Sequence, residues 1–428
     1  MAKLALFGGT PVLQSTFPSW PVFDQREVES VVNVVNSGDW WMTNPAIADF
    51  ESAFAKFQGS KYALSLTNGT HTLETILRAL GIGPGDEVIV PAYTFIATAS
   101  SVLMAGATPV LADVCIDTMT LDPERFSEAI TSRTRAVITV HLGGVVGPVD
   151  DILRIAKAKK IFVVEDCAHA HGCASRGRQT GSLGIAGSFS FQSSKTMTSG
   201  EGGAIVTRDK SLFEKCWSLY NCGRKYKANF NEYQVLGSNY RMTPFQAAIL
   251  AIQLQRMEEQ SPVRLQSIQC LEEGLKDIEG ITPQYRDPLD SAPGYLYSFY
   301  YDSKAFNGLS RSLFLKALSA EGIPCNAANY PAIHQTPLFR NRIFGAGGKA
   351  IKSDSTGQTL PDYASMSLPN AENIQETVVS LPHQVMLGEL EQVQKAVEAI
   401  HKIQTHARKT VAPSLTWVTG VVRKKIGI

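Results

Sequence analysis

The chain has 428 residues, 44% apolar and 18% charged, with 40 basic against 39 acidic residues and a net charge of +1. This is the composition of an ordinary globular protein, long enough for two or three domains and a large core. A charge so near zero, with no dense basic patch interleaved with aromatics, argues against a polyanionic partner, so no nucleic acid is expected. The seven cysteines are odd in number and scattered, with no C-x-x-C spacing. They indicate reduced thiols in a cytoplasmic protein rather than a disulfide framework or zinc site, and no metal is expected. The opening Met1 to Phe7 is too short for the apolar region of a signal peptide and is interrupted by Gly8-Gly9. No run of 18 apolar residues occurs, so no membrane partner is expected.

Residues 1–45 read as an extended arm punctuated by Pro11, Pro18, Pro21 and Pro45 and broken by one helix from about Asp24 to Ser37. Gly38-Asp39 makes a turn before Trp40-Trp41, two large aromatics suited to a core or an interface. A helix from Ile47 to Phe57 precedes a strand at Tyr62 to Leu66. The turn Thr67-Asn68-Gly69-Thr70-His71 then opens a helix with Leu73, Ile76, Leu77 and Leu80 on one face, closed by Gly81. Beyond Gly85-Asp86, strands alternate with helices. Strands are expected at Val88–Pro91, Thr108–Asp113, Ala136–Leu142 and Ile161–Asp166, and helices at Ile96–Ala105, Pro123–Ile130 and Val149–Ala158. Continuous apolar strands alternating with helices imply an α/β domain whose mostly parallel sheet is covered on both faces.

Thr243-Pro244-Phe245-Gln246 has the form of a capping box with proline in the first turn, opening a long helix to about Gln260. Pro262 is expected to stop or kink the chain and to mark a boundary between a domain of residues 1–261 and one of residues 262–428. The second part carries a strand at Tyr295–Tyr301, helices at Ser310–Glu321 and Leu387–Ile403, and a Gly-, Ser- and Pro-rich loop over Gly345–Asn373. The basic Arg423-Lys424-Lys425 reads as a solvated tail.

Three spots fall at carboxyl ends of strands, where open parallel sheets bind ligands. The Asn68-Gly69-Thr70 turn offers backbone N–H groups and a helix dipole to an anion such as phosphate, although simple N-capping explains the same residues. Asp166 ends a buried strand and needs a cation or several donors. Either a salt bridge within the fold or a protonated ring nitrogen meets that need. Lys195 follows the aromatic strand Phe189-Ser190-Phe191 through small hydroxyl residues, with no acid before Glu201. It reads either as a surface lysine in a turn or as a desolvated amine able to form a Schiff base. A Schiff-base lysine, an acid for a pyridinium nitrogen and a phosphate turn at Gly69-Thr70 with the Ser190 hydroxyl together meet the needs of pyridoxal phosphate (PLP).

Pro91-Ala92-Tyr93-Thr94-Phe95, Glu165-Asp166-Cys167-Ala168-His169, Ser188 to Phe191 with Lys195, Gly200-Glu201-Gly202-Gly203-Ala204, and Gly237-Ser238-Asn239-Tyr240-Arg241-Met242 resemble, in order and spacing, the DegT/DnrJ/StrS family of PLP-dependent aminotransferases. The resemblance runs from about residue 8 to 405. It implies fold type I: a large domain with a mostly parallel mixed sheet, a smaller C-terminal α+β domain, and a homodimer with shared active sites. It implies that Lys195 forms the Schiff base, Asp166 holds the ring nitrogen, His169 lies beside the ring hydroxyl and Phe95 stacks on the ring. Gly69, Thr70 and Ser190 would take the phosphate, and Asn239 would reach the phosphate of the other subunit's cofactor. His71, His141, His171 and His334 receive no role.

Gly8-Gly9-Thr10-Pro11, Gly38 to Trp41, Asp166 to Gly172 and Ser380-Leu381-Pro382-His383 are similar to glutamine:scyllo-inosose aminotransferases and to 3-amino-5-hydroxybenzoate synthases. The expected reaction moves an amino group from Gln or Glu to a ring ketone such as scyllo-inosose or 2-deoxy-scyllo-inosose, in aminocyclitol biosynthesis. An NDP-ketosugar acceptor, with Arg224, Lys225 and Lys227 near the diphosphate, is the alternative, although a solvated loop explains those three charges equally. A dehydratase of the same family typically carries His in place of Lys195. A non-catalytic PLP-binding sensor is a rival of another class, but no appended DNA-binding helix pair is visible. Neither G-x-S-x-G nor G-x-G-x-x-G occurs in strand–helix context, against a serine hydrolase or NAD enzyme.

Overall fold

The computed structural model describes residues 3–229, 231–328 and 330–409; Arg423-Lys424-Lys425 lies outside the described residues. In chain order the first part contains α1 (Gln25–Ser37), α2 (Pro45–Phe57), β1 (Tyr62–Leu66), α3 (Gly69–Ala79), β2 (Glu87–Pro91), α4 (Ala97–Met104), β3 (Thr108–Ala112), α5 (Pro123–Glu128), β4 (Thr134–Val140), α6 (Val149–Lys159) and β5 (Phe162–Asp166). Two short strands, β6 (Ala174–Ser175) and β7 (Arg178–Gln179), precede β8 (Ala186–Ser190), β9 (Gly203–Thr207), α7 (Lys210–Tyr220) and α8 (Pro244–Leu275). Then come β10 (Ile281–Pro283), β11 (Asp290–Ser291), β12 (Leu296–Tyr301), α9 (Arg311–Ala320), β13 (Asn326–Ala327), α10 (Pro337–Arg340), α11 (Pro369–Thr377), β14 (Val378–Pro382) and α12 (Leu390–Arg408).

The central sheet has the order β1-β9-β8-β5-β4-β2-β3. Only β9 runs against the rest, pairing antiparallel with both β1 and β8. The carboxyl ends of β1, β5 and β8 therefore share one edge, and β9 starts there. Every residue of β2, β8 and β9 is buried, as helices on both faces require. A separate antiparallel sheet, β10-β12-β14-β13, is covered by α9 and α12 around a core of Phe299, Phe306, Phe314 and Ile400.

Helix α8 ties the two sheets together. Its first half buries Ala247, Leu250 and Leu254 against the central sheet, and its second half buries Ile268, Leu271 and Leu275 against the other. Pro262 does not end this helix, which crosses the expected division at 261/262 unbroken. A proline removes a single i→i−4 bond, and packing at both ends holds the backbone in register across the gap. Helix α11 likewise begins inside the stretch expected to be loop. Its first amides, at Asn370 and Ala371, donate to the Asp113 carboxylate beyond the end of β3, at 3.0 and 2.9 Å. A cap supplied from 257 residues away leaves no local trace in the sequence. Trp40 and Trp41 are 58% and 50% exposed, so neither belongs to the core of this chain.

The arm is pinned to α8 by a charged knot. Arg256 donates to Glu27 at 2.5 and 2.8 Å and also pairs with Asp24 at 2.8 Å. Burial alone would raise the Glu27 carboxyl, but donors from Arg256, the Asp24 amide and Gln253 draw it down to about 2. Because the folded value lies below the unfolded one of about 4.3, this contribution is complete above that pH and is lost as pH falls toward 2. Glu27→Gln should cost about 3 kcal/mol in urea unfolding at pH 7, the lower end for breaking a buried pair. It should also flatten the fall in stability between about pH 4.3 and 2; an unchanged acid profile contradicts this account.

Candidate active site

At the shared strand edge lies a cavity of about 830 Å³. It is lined by Gly69, Thr70, Phe95, Asp166, His169, Ser190 and Lys195, seven of the eight residues singled out in the sequence. The eighth, Asn239, is exposed and does not line it.

Each residue reaches the cavity through local backbone chemistry. Asn68 caps α3 by accepting from the His71 amide at 2.9 Å. The amides of Gly69 and Thr70, in the same first turn, take no acceptor from the described chain. Capping and anion binding thus use different groups of one turn. The turn can form only against bare backbone: a Cβ on Gly69 would stand 2.9 Å from Ser190 Cβ, and one on Gly203 would stand 2.5 Å from the Asn68 carbonyl carbon. Gly200, with φ of +84°, turns the chain away from Lys195 so that Gly203 can enter the sheet at this point.

Asp166 has two donors, the Thr98 hydroxyl at 2.8 Å and the Ala168 amide at 3.2 Å. Burial raises its carboxyl, against the pull of those bonds and of the Lys195 charge. Its neighbour Glu165 faces the other way and is saturated by the amides of Gly181, Leu183 and Gly184 and by His141 Nε2, at 2.7–2.9 Å. Glu165, His141 and Cys167 have the spacing of a metal-binding group. With four donors already on the carboxylate, the arrangement is instead a hub that fixes the segment leading to β8.

Lys195 closes a turn in which its amide donates to the Gln192 carbonyl. Burial lowers its amine to about 8, with Asp166 acting the opposite way. Among the described residues no acid stands within 4 Å of Nζ; the amine lies 4.6 Å from the centre of the Tyr295 ring. Tyr295 also shares a hydrogen bond with Ser194 at 2.9 Å, and Trp20 of the arm donates to the Ser193 carbonyl at 2.9 Å. The lysine turn is thus braced from outside the central sheet. His169 Nδ1 accepts from the Gly143 amide at 3.2 Å, and Nε2 lies 3.1 Å from the Tyr330 hydroxyl. Thr98, Tyr295, Tyr330 and Trp20 were missed in the sequence, because each acts from an element remote from the motifs.

Of the four histidines without a role, His71 lines the cavity, pairs with Glu74 at 3.0 Å and stacks on Tyr240. His141 and His171 are buried behind it, and His334 bonds Glu372 at 3.0 Å. Arg224, Lys225 and Lys227 do not line the cavity; Lys225 pairs with Glu232 at 2.9 Å. All seven cysteines are free thiols.

The chain matches the DegT/DnrJ/EryC1/StrS aminotransferase family over residues 21–401. It is 38% identical over 410 residues to a Micromonospora echinospora protein named as an L-glutamine:3-amino-2,3-dideoxy-scyllo-inosose aminotransferase, covering 94% of this chain and 97% of the relative. It is 34% identical to the L-glutamine:2-deoxy-scyllo-inosose aminotransferase of the same organism, covering 96% and 99%. The crystal structure of 3-amino-5-hydroxybenzoic acid synthase superposes with a TM-score of 0.81 at 32% identity, covering 93% of this chain and all of that one.

Gly203→Ala should weaken PLP binding by the apoprotein at least about tenfold, since the new methyl displaces the turn that offers the Gly69 and Thr70 amides. Fluorescence titration with PLP checks this, and wild-type affinity in the variant would contradict the cradle. An amine at about 8 also sets the pH dependence of imine formation. The rate at which apoprotein captures PLP should rise with pH through a midpoint near that value in stopped-flow absorbance, not near the ordinary lysine value of about 10.4.

Proposed function

The chain belongs to the DegT/DnrJ/EryC1/StrS aminotransferase family, and from that premise we propose that it transfers the amino group of glutamine to a ring ketone of the cyclitol class. It is a PLP-dependent aminotransferase. When bound, PLP supplies an aldehyde that condenses with amines and a ring that accepts the electrons released at the carbon bearing nitrogen.

The residues present fit this group. A buried amine without an acid in contact, a strand-end carboxylate with two donors and two unpartnered amides beside the Ser190 hydroxyl supply its three attachment points. Lys195 would hold the aldehyde carbon, Asp166 the ring nitrogen, and Gly69, Thr70 and Ser190 the phosphate, with Phe95 against the ring face. The Asp166 carboxylate would keep a proton on the ring nitrogen, because a buried anion is stabilised by an adjacent positive charge. Released from the aldehyde, Lys195 Nζ is a general acid and base. Its amine, lowered by burial, would then be able to take up a proton at Nζ and give it back near neutral pH without a large penalty either way. Tyr295 and the Trp20 brace hold Nζ in place for this exchange.

The chemistry of the cavity wall carries the choice of acceptor. Lys195 is its only lysine, and no arginine lines it among the described residues. Asn68, Gln192, Ser194, Asn326 and Gln384 supply neutral donors and acceptors instead. The wall that this chain supplies suits the hydroxyls of a cyclitol and the carboxamide of glutamine, and among its described residues it brings no arginine for a nucleoside diphosphate. The names of the relatives support the same reading. A 3-amino-5-hydroxybenzoate synthase is the second reading, favoured by the superposition on that enzyme.

The protein is proposed to act as a homodimer in the cytoplasm. Phe95, which lines the cavity, is 52% exposed, Leu236 is 87% exposed, and Asn239 is exposed and does not line its own cavity, as a residue serving a partner's site would be. The free thiols suit a reducing compartment. No helix among the described residues is long and apolar enough to cross a membrane.

Enzyme converted by glutamine to its amino form should be restored to the PLP form by scyllo-inosose or 2-deoxy-scyllo-inosose, followed by absorbance. Restoration by NDP-ketosugars alone overturns the proposed acceptor. Lys195→Ala should lose the visible band and the half-reaction with glutamine; a persisting band overturns the assignment of the lysine.

A further inference from the structure

His169 has its two ring nitrogens committed in a fixed order. The Gly143 amide donates to Nδ1 at 3.2 Å, so Nδ1 carries no proton. Burial holds the imidazole well below its usual range, with the Lys195 and His171 charges adding to this, so the ring is neutral. A neutral ring without a proton on Nδ1 has it on Nε2. At 3.1 Å, Nε2–H therefore donates to the Tyr330 oxygen, and the hydroxyl is left with its own proton to give. Burial raises the Tyr330 phenol above its ordinary value, the Tyr295 and Asp166 charges acting in the same direction, so that proton stays on across the working range. Tyr330 lines the cavity, its ring 5.6 Å from that of Phe95 and 6.1 Å from that of His169.

We propose that the Tyr330 hydroxyl is a dedicated hydrogen-bond donor to an anionic oxygen bound in the cavity, oriented by the chain Gly143 amide, His169, Tyr330. Two bound species carry such an oxygen: the ring hydroxyl of PLP in its ionised form and the α-carboxylate of the amino donor. A donor that already accepts one hydrogen bond gives a stronger second one, and a charged acceptor strengthens it further. The inference rests on the reading of this cavity as a PLP site and adds a residue outside the motifs that identify it. Its position three residues after β13, rather than on the central sheet, lets the same hydroxyl act on a substrate entering from the mouth.

Tyr330→Phe removes this donor and keeps the ring against Phe95. If the acceptor is the PLP oxygen, the midpoint of the pH titration of the visible band in substrate-free holoenzyme should rise by about one unit, a tenfold change. If it is the carboxylate, the band should titrate as in wild type, while KM for glutamine rises at least about fivefold with kcat little changed. A band midpoint and a glutamine KM both within about twofold of wild type overturn the proposal. Thermal melting of the apoprotein separates loss of the donor from loss of the fold. Tyr330→His, which restores a donor, should recover part of whichever effect appears. Absence of any visible band in wild-type protein loaded with PLP would instead defeat the reading of the cavity, whatever the variant does.

Discussion

Asp166 and Lys195 face one cavity as opposite charges that do not touch. Burial raises the carboxyl of one and lowers the amine of the other. Each is thus pushed toward its neutral form, and the attraction between them only partly offsets the loss of water. Closing the gap into an ion pair would satisfy both and leave nothing for a ligand. The structure holds them apart, with Asp166 anchored by Thr98 and the Ala168 amide and Lys195 by its turn and the Tyr295 ring. A molecule that places a protonated nitrogen at one and an electrophilic carbon at the other relieves both.

Holding that separation falls to the rest of the fold. Parallel β5 and β8 deliver the two residues to the same edge, and β9 returns the chain through a point so tight that only glycine fits. Glu165 takes the opposite face of β5, where its four donors immobilise the connection to β8. The lysine turn, lacking such support from its own sheet, is braced by Trp20 from the arm and Tyr295 from the second sheet. Helix α8 packs against both sheets and so fixes one relative to the other through one continuous element.

Specificity follows a different logic from cofactor binding. The attachment points proposed for the cofactor are charges and backbone groups at strand ends, whereas the remaining wall is largely amide, hydroxyl, aromatic and aliphatic, with the Glu201 carboxylate among it. Much of it comes from residues past 290: Tyr295, Asn326, Tyr330, His383 and Gln384. Tyr295 and Tyr330 tie that wall to Lys195 and His169, whereas Asn326 and Gln384 make no such contact with either and are free to vary with the acceptor.

The strand–helix alternation, the carboxyl-end positions of Gly69, Asp166 and Lys195, and the capping box at Thr243 were legible in the sequence, because each is written in residues adjacent along the chain. The passage of α8 through Pro262, the start of α11 and the exposure of Trp40 and Trp41 were not. Local propensity gives Pro262 a breaker's role, and only packing at both ends of the helix overrides it; α11 begins where Asp113 waits in space. The sequence by itself determined the class of fold and the cofactor and pointed to Lys195 and Asp166 as the lysine and acid proposed to hold it, since those chemical needs are met by a few residues at set spacings. Tertiary structure decided the tautomer of His169, the bracing of Lys195 and the amide-rich, arginine-free lining of the cavity among the described residues. Each of those depends on which groups stand within about 3–5 Å after folding, and hydrogen bonding and desolvation act at that range regardless of distance along the chain.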